Sequence, residues 1–94
     1  MKKITILHLD HCPYCRSAER ALAALKEENP AYQAVEAEWI EEEREPEKAK
    51  AYTTYWYVPT IYCGTEKLYE AQPGQTYEQI KEKVRGALDA VLSA

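Results

Sequence analysis

Three cysteines in 94 residues are too few, and too unevenly placed, to form the disulfide framework of a small secreted domain. Long hydrophobic runs are missing too, since a membrane-spanning helix needs about 20 apolar residues and no stretch here approaches that. The apolar run after Met1-Lys2-Lys3 stops at His8 and Asp10 with no small-residue cleavage site behind it, so a secretory leader is not expected. Internal repeats, low-complexity tracts and linkers are absent. There is no basic excess either: the net charge of −4 argues against nucleic acid and against an anionic membrane as partners. What remains is an ordinary globular composition, 46% apolar, 11% aromatic and 30% charged. One domain over residues 1–94 is expected, a cytoplasmic monomer large enough for a single sheet-and-helix core and too small for two.

Two of the three cysteines lie close together. Asp10-His11-Cys12-Pro13-Tyr14-Cys15 follows the apolar run Ile4, Ile6, Leu7 and Leu9, which reads as a central parallel strand buried on both faces. The pair therefore sits at the carboxyl end of a strand, where open α/β sheets place their chemistry. On a helix, residues i and i+3 share a face, so Cys12 and Cys15 can reach the roughly 5.5–6 Å Cα separation that a disulfide requires. Pro13 has a φ suited to the first helical position and no N–H to leave unpaired, which makes Cys12 the expected N-cap, its sulfur against free backbone N–H groups. Those donors and the helix dipole favour thiolate over thiol. Cys12 is thus the expected nucleophile of disulfide exchange, and Cys15, one turn further in and less exposed, the resolving thiol. The same spacing also occurs as half of a zinc site; a structural zinc takes about four ligands, and the other candidates are Cys63, His8 and His11.

The rest of the chain alternates in type. Ala18, Ala21, Leu22 and Leu25 recur at helical spacing, predicting a helix from 13 to about 28 that Asn29-Pro30 ends. Val35, Ala37 and Trp39 alternate with Glu36 and Glu38, predicting a strand over 32–40 with one wetter face, at a sheet edge. Strand, helix and strand make a right-handed βαβ unit. A second helix is expected from 46 to about 55, with Ala49, Ala51 and Tyr52 available for burial. Residues 58–63 and about 67–71, separated by Gly64, read as a hairpin. Gln72-Pro73-Gly74 breaks the pattern. Thr76-Tyr77-Glu78-Gln79 is a capping box that opens a last helix with Tyr77, Ile80, Val84, Ala87, Leu88 and Val91 on one face. Gly86 inside it costs up to about 1 kcal/mol relative to alanine and would suit close packing. The order is β-α-β-α-β-β-α, an α/β domain.

Cys12-Pro13-Tyr14-Cys15 resembles the dithiol motif of glutaredoxins, within the wider thioredoxin-like superfamily. Tyr57-Val58-Pro59-Thr60 resembles that family's Val-Pro loop. The resemblance implies a thioredoxin-like fold, with a four-stranded mixed sheet flanked by three helices, and a cis Val58-Pro59 bond facing the Cys pair. It further implies that Pro13, Tyr14, Val58 and Pro59 bind substrate or glutathione, with the Tyr14 ring as a wall and the Val58 backbone as the docking edge. The implied activity is reduction of protein disulfides or of mixed disulfides with glutathione, with glutathione as co-substrate, no tightly bound cofactor and no metal.

The sequence departs from that family in two places. Leu9 stands where glutaredoxins usually carry a lysine that binds the glutathione carboxylate; Lys48, Lys50 or Lys67 would have to replace it. Glu70-Ala71-Gln72-Pro73-Gly74-Gln75 stands where they usually have Gly-Gly and acidic residues, and its lone glycine looks more like thioredoxin. The alternatives are therefore an electron donor reduced by a flavoprotein thioredoxin reductase, an iron-sulfur carrier using Cys12 and glutathione, and a module with its dithiol as a zinc clip.

Several other residues have two readings. Tyr14 is either a substrate wall or an exposed helix residue. His11 either tunes the nucleophile or faces solvent, and His8 reads better as a core histidine than a catalytic one. Asp10 can cap the turn, although a carboxylate beside a thiolate opposes its ionisation. Tyr55, Trp56 and Tyr57 crowd the approach to Pro59 and offer binding material, but core packing of at least two of them is expected. Cys63 reads as a buried passive thiol rather than a regulatory one. Seven glutamates from Glu36 to Glu47, against Arg44, Lys48 and Lys50, carry the whole charge imbalance. That stretch is either a solvated face or a surface that selects a basic partner.

Overall fold

The computed structural model describes residues 2–94. Its four strands are β1 (Lys2–His8), β2 (Val35–Glu41), β3 (Thr60–Cys63) and β4 (Glu66–Glu70), hydrogen-bonded in the order β2-β1-β3-β4. β1 runs parallel to β2 and antiparallel to β3, and β4 closes a hairpin on β3. The helices are α1 (Pro13–Glu28), α2 (Pro46–Ala49) and α3 (Tyr77–Ser93). The mixed sheet, the three helices and their order are those expected from the sequence, and β2 is at an edge.

The two faces of the sheet are built differently. β1 is buried from Ile4 to Leu7, and alternation sends Ile4 and Ile6 to one side and Thr5 and Leu7 to the other. On the first side, Ile4 and Ile6 join Ala18, Ala21, Leu22 and Leu25 of α1 and Ile80, Val84, Leu88 and Val91 of α3 in one core. The small residues of α1 let α3 pack closely beside it. On the second side, Leu7, Ile40 and Tyr62 form a smaller cluster that Ala49, Tyr52, Tyr55 and Val58 cover.

Three expected boundaries move. β2 begins at Val35 and not at residue 32, because Pro30–Ala34 forms a 3-10 turn. Asn29 Oδ1 accepts from the N–H of Ala31 at 3.0 Å, and the buried Tyr32 donates its hydroxyl to Asp89 at 2.7 Å. α2 stops at Ala49, since none of its residues is buried and Thr53 and Thr54 are poor continuations. Tyr52 and Tyr55 leave the helix and pack on Tyr62, with ring centroids 4.8 and 6.3 Å away. β3 begins at Thr60 and not at 58, since Pro59 has no N–H for the ladder. The Pro59 carbonyl accepts from Ala71 at 3.0 Å.

α3 opens as the sequence implies. Thr76 Oγ1 accepts from the N–H of Gln79 at 3.2 Å, and Gln79 Oε1 accepts from the N–H of Thr76 at 2.8 Å. Gly86 permits no close approach: it is exposed, and a Cβ built there meets nothing within 4 Å.

Candidate active site

Cys12 is the N-cap of α1, in extended conformation, with Pro13 as the first helical residue. Its N–H donates to the Leu9 carbonyl at 3.3 Å and its carbonyl accepts from Arg16 at 3.1 Å, so the end of β1 turns directly into the helix. The sulfur does not accept a capping hydrogen bond, contrary to the expectation from sequence. It lies 3.6 Å from the carbonyl oxygen of Val58, which accepts from the thiol. A thiol can donate to that carbonyl and a thiolate cannot.

The Val58-Pro59 bond is cis, Pro59 is buried and Val58 half-buried. Cys12, Val58 and Pro59 are therefore brought together. Cys15, one turn on, is only 4% exposed and sits beside Cys12. Burial pushes its thiol well above the usual range; a backbone hydrogen bond with Leu9 opposes this, and the neighbouring Cys12 adds to it. All three cysteines are free, with Cys12 and Cys63 partly exposed.

Tyr14 is half-buried against the larger core, and its hydroxyl accepts from the N–H of Gly74 at 2.7 Å. It is not an exposed helix residue, and its hydroxyl ties α1 to the loop at 72–75. The buried Tyr69 donates to Gln75 Oε1 at 2.7 Å, and that oxygen also accepts from Gln72 at 3.0 Å. Burial, with Cys15 nearby, pushes the Tyr69 hydroxyl up to about 12.

The loop at 54–57 overturns one expectation. Only Tyr55 packs inward; Trp56 is 92% exposed and Tyr57 48% exposed. The cause lies in β4: Glu70 Oε2 accepts from the N–H groups of both Trp56 and Tyr57, at 2.6 and 2.8 Å. Lys67 bonds Glu70 Oε1 at 2.7 Å and the Thr54 carbonyl at 2.8 Å. Burial alone would raise the Glu70 carboxyl, but Lys67 and the two N–H groups hold it below its ordinary range. Thr60 Oγ1 donates to the Tyr57 carbonyl. With its backbone tied at these points, the loop turns two aromatic rings outward.

A second carboxylate, Glu41, fixes the other side. Its side chain is buried and accepts from the N–H groups of Asp10 at 3.1 Å, Glu43 at 2.6 Å and Arg44 at 3.0 Å. The Arg44 N–H is the main cause holding this carboxyl below its ordinary range. Arg44 also pairs with the Asp10 carboxylate, so the charge next to Cys12 is compensated.

No family model matches the chain, and no curated protein matches it. Solved structures do. A thioredoxin mutant from Halobacterium salinarum aligns at TM-score 0.58 and 18% identity, over 96% of this chain and 74% of its own. Thioredoxin 1 from the thermophilic eubacterium Thermosipho africanus aligns at TM-score 0.57 and 13% identity, over 94% and 96%. The fold is thioredoxin-like.

Within this thioredoxin-like frame the other candidates separate. His8 is half-buried and meets Trp39 edge-on at 5.3 Å, a packing role, while His11 is exposed. Cys63 is half-buried and packed on the larger core. Among the described residues, no three His, Cys, Asp or Glu side chains group as a metal site, and no helix is long and apolar enough to cross a membrane. Sequence reasoning missed Glu41 and Glu70. Glu41 looked like a member of the acidic stretch and Glu70 had no assigned role; Glu41 reaches Asp10, 31 residues away, as well as its neighbours Glu43 and Arg44, and Glu70 reaches Trp56, 14 residues away.

Proposed function

We propose that this protein is a dithiol thiol-disulfide oxidoreductase that reduces disulfides of proteins or mixed disulfides with glutathione. The observation that carries the reading is the accessible Cys12 sulfur 3.6 Å from the Val58 carbonyl at a cis proline, with Cys15 buried one helical turn behind it. The Cys12 thiolate attacks a substrate disulfide, forming a mixed disulfide and releasing one substrate thiolate. Cys15 then loses its proton and attacks the Cys12 sulfur, leaving a Cys12–Cys15 disulfide and the second substrate thiol. Two electrons pass to the substrate. Burial keeps Cys15 protonated and unreactive until a docked substrate puts a disulfide beside it. Pro13 sets the helix start, Tyr14 fixes the adjoining loop, and Val58 with Pro59 forms the docking edge. No tightly bound cofactor is required, and a reducing, cytoplasmic setting and a monomer suit this cycle.

Cys12→Ser is expected to abolish exchange, whereas Cys15→Ser accumulates mixed disulfides at Cys12. Equal residual activity in both variants would overturn the role assignment.

A second reading concerns the electron source. Of the three lysines available to replace the glutaredoxin cation, Lys48 pairs with Glu45 at 2.9 Å and Lys67 with Glu70 at 2.7 Å. With Leu9 in the usual lysine position and only Lys50 of the three in no ion pair among the described residues, this favours reduction by a flavoprotein thioredoxin reductase over glutathione. Rates of reduction of the oxidised protein by glutathione, and by NADPH with such a reductase, decide between them.

A further inference from the structure

Trp56 is the most exposed large apolar side chain among the described residues, and it sits two residues before the carbonyl that touches the Cys12 sulfur. An indole at 92% exposure adds nothing to the core, yet its backbone is clamped by Glu70, and the same clamp reaches Thr54 through Lys67. The fold thus fixes the backbone that carries a ring it does not itself use. Tyr57 stands beside it, half exposed.

The surroundings are acidic. Tyr55, the preceding residue, bonds Glu42. Of the five glutamates from 41 to 47, Glu41 is buried on three N–H groups and Glu45 pairs with Lys48, while Glu42, Glu43 and Glu47 have no ion pair among the described residues and Arg44 is already paired with Asp10. Lys67, the cation held against this loop, is likewise paired with Glu70. An exposed aromatic face with the Glu42 carboxylate, in no ion pair among the described residues, held at its loop by Tyr55 attracts a cation through both the ring quadrupole and the local field.

We propose that Trp56 and Tyr57 form a specificity-determining ridge that selects disulfides carried on polypeptide segments with lysine or arginine beside the cysteine. The inference rests on the dithiol exchange proposed above. In it, the substrate sulfur lies over Cys12, its backbone runs along Val58, and the flanking cation covers the Trp56 ring.

The test uses reduced full-length protein and three probes: two short peptide disulfides differing only in lysine or glutamate beside the cysteine, and hydroxyethyl disulfide. The wild type is expected to favour the lysine peptide by about tenfold in kcat/KM at low ionic strength, carried by KM. Trp56→Ala, which removes no core contact, should erase most of that preference while its thermal midpoint stays within a few degrees of the wild type. Equal rates for the two peptides in the wild type, or a preference unchanged in Trp56→Ala, would overturn the ridge. If hydroxyethyl disulfide is still reduced in that case, the dithiol reading stands alone; if no probe is reduced, both fall.

Discussion

The two faces of the sheet solve different problems. The face under α1 and α3 is held by aliphatic side chains at helical spacing, many of them fully buried, and carries no functional group apart from the first turn of α1. The opposite face has a much smaller cluster, covered by tyrosines and a short helix, and its loops are fixed by carboxylates that accept backbone N–H groups. Non-directional burial suffices to hold a helix on a sheet. Placing a carbonyl 3.6 Å from a sulfur requires directional bonds, and the second face supplies them. Stability and site geometry therefore reside largely in different residues.

This division can be broken by substitution. The largest effect is expected on the first face: Leu88→Ala, at a fully buried position, should cost about 2–5 kcal/mol in a denaturant titration. The fraction that stays folded should alkylate at Cys12 at the wild-type rate. A large change in that rate would show that the two faces are not separable.

Glu41→Gln should destabilise less but disturb the site more, because it weakens the acceptor for three N–H groups in the loops beside Cys12. Peptide disulfide reduction should fall further than stability does. The effect has a definite pH sign. The folded Glu41 carboxyl is held below its ordinary value of 4.5, so its contribution is complete above that value and is lost as pH falls through the lower folded-state pKa. The gap between wild type and variant in thermal melts should be widest near neutrality and close in acid. A gap independent of pH would remove Glu41 as the charged anchor.

The smallest effect is on the outer surface of the first face. Gly86→Ala should stabilise by about 0.5–1 kcal/mol, since the new methyl meets nothing and a helical glycine is replaced. Thermal melts of the two proteins check it; a lower midpoint would mean that Gly86 serves a contact after all.

The same division decides what could be read in the sequence. The buried stripe of α1, the capping box of α3 and the continuous burial of β1 were legible because each is written in local spacing. The Cys pair and its proline loop were legible as motifs. Tyr32 was misplaced in a strand because its constraint is a hydroxyl bond to Asp89, 57 residues away. Core packing of at least two of Tyr55, Trp56 and Tyr57 is the expectation because aromatic residues prefer burial, and the backbone bonds to Glu70 that turn Trp56 and Tyr57 outward depend on the hairpin being formed. Glu41 looked like one more solvated charge. Directional contacts between distant residues leave no periodic trace, and these are the contacts that build the site.

The most direct test is the rate of iodoacetamide alkylation of each cysteine in the reduced protein at neutral pH, resolved by peptide mass spectrometry. The account predicts that Cys12 takes the label first, at least about tenfold faster than Cys15, which stays protected until the protein unfolds. Labelling of Cys15 or Cys63 as fast as Cys12 would contradict it.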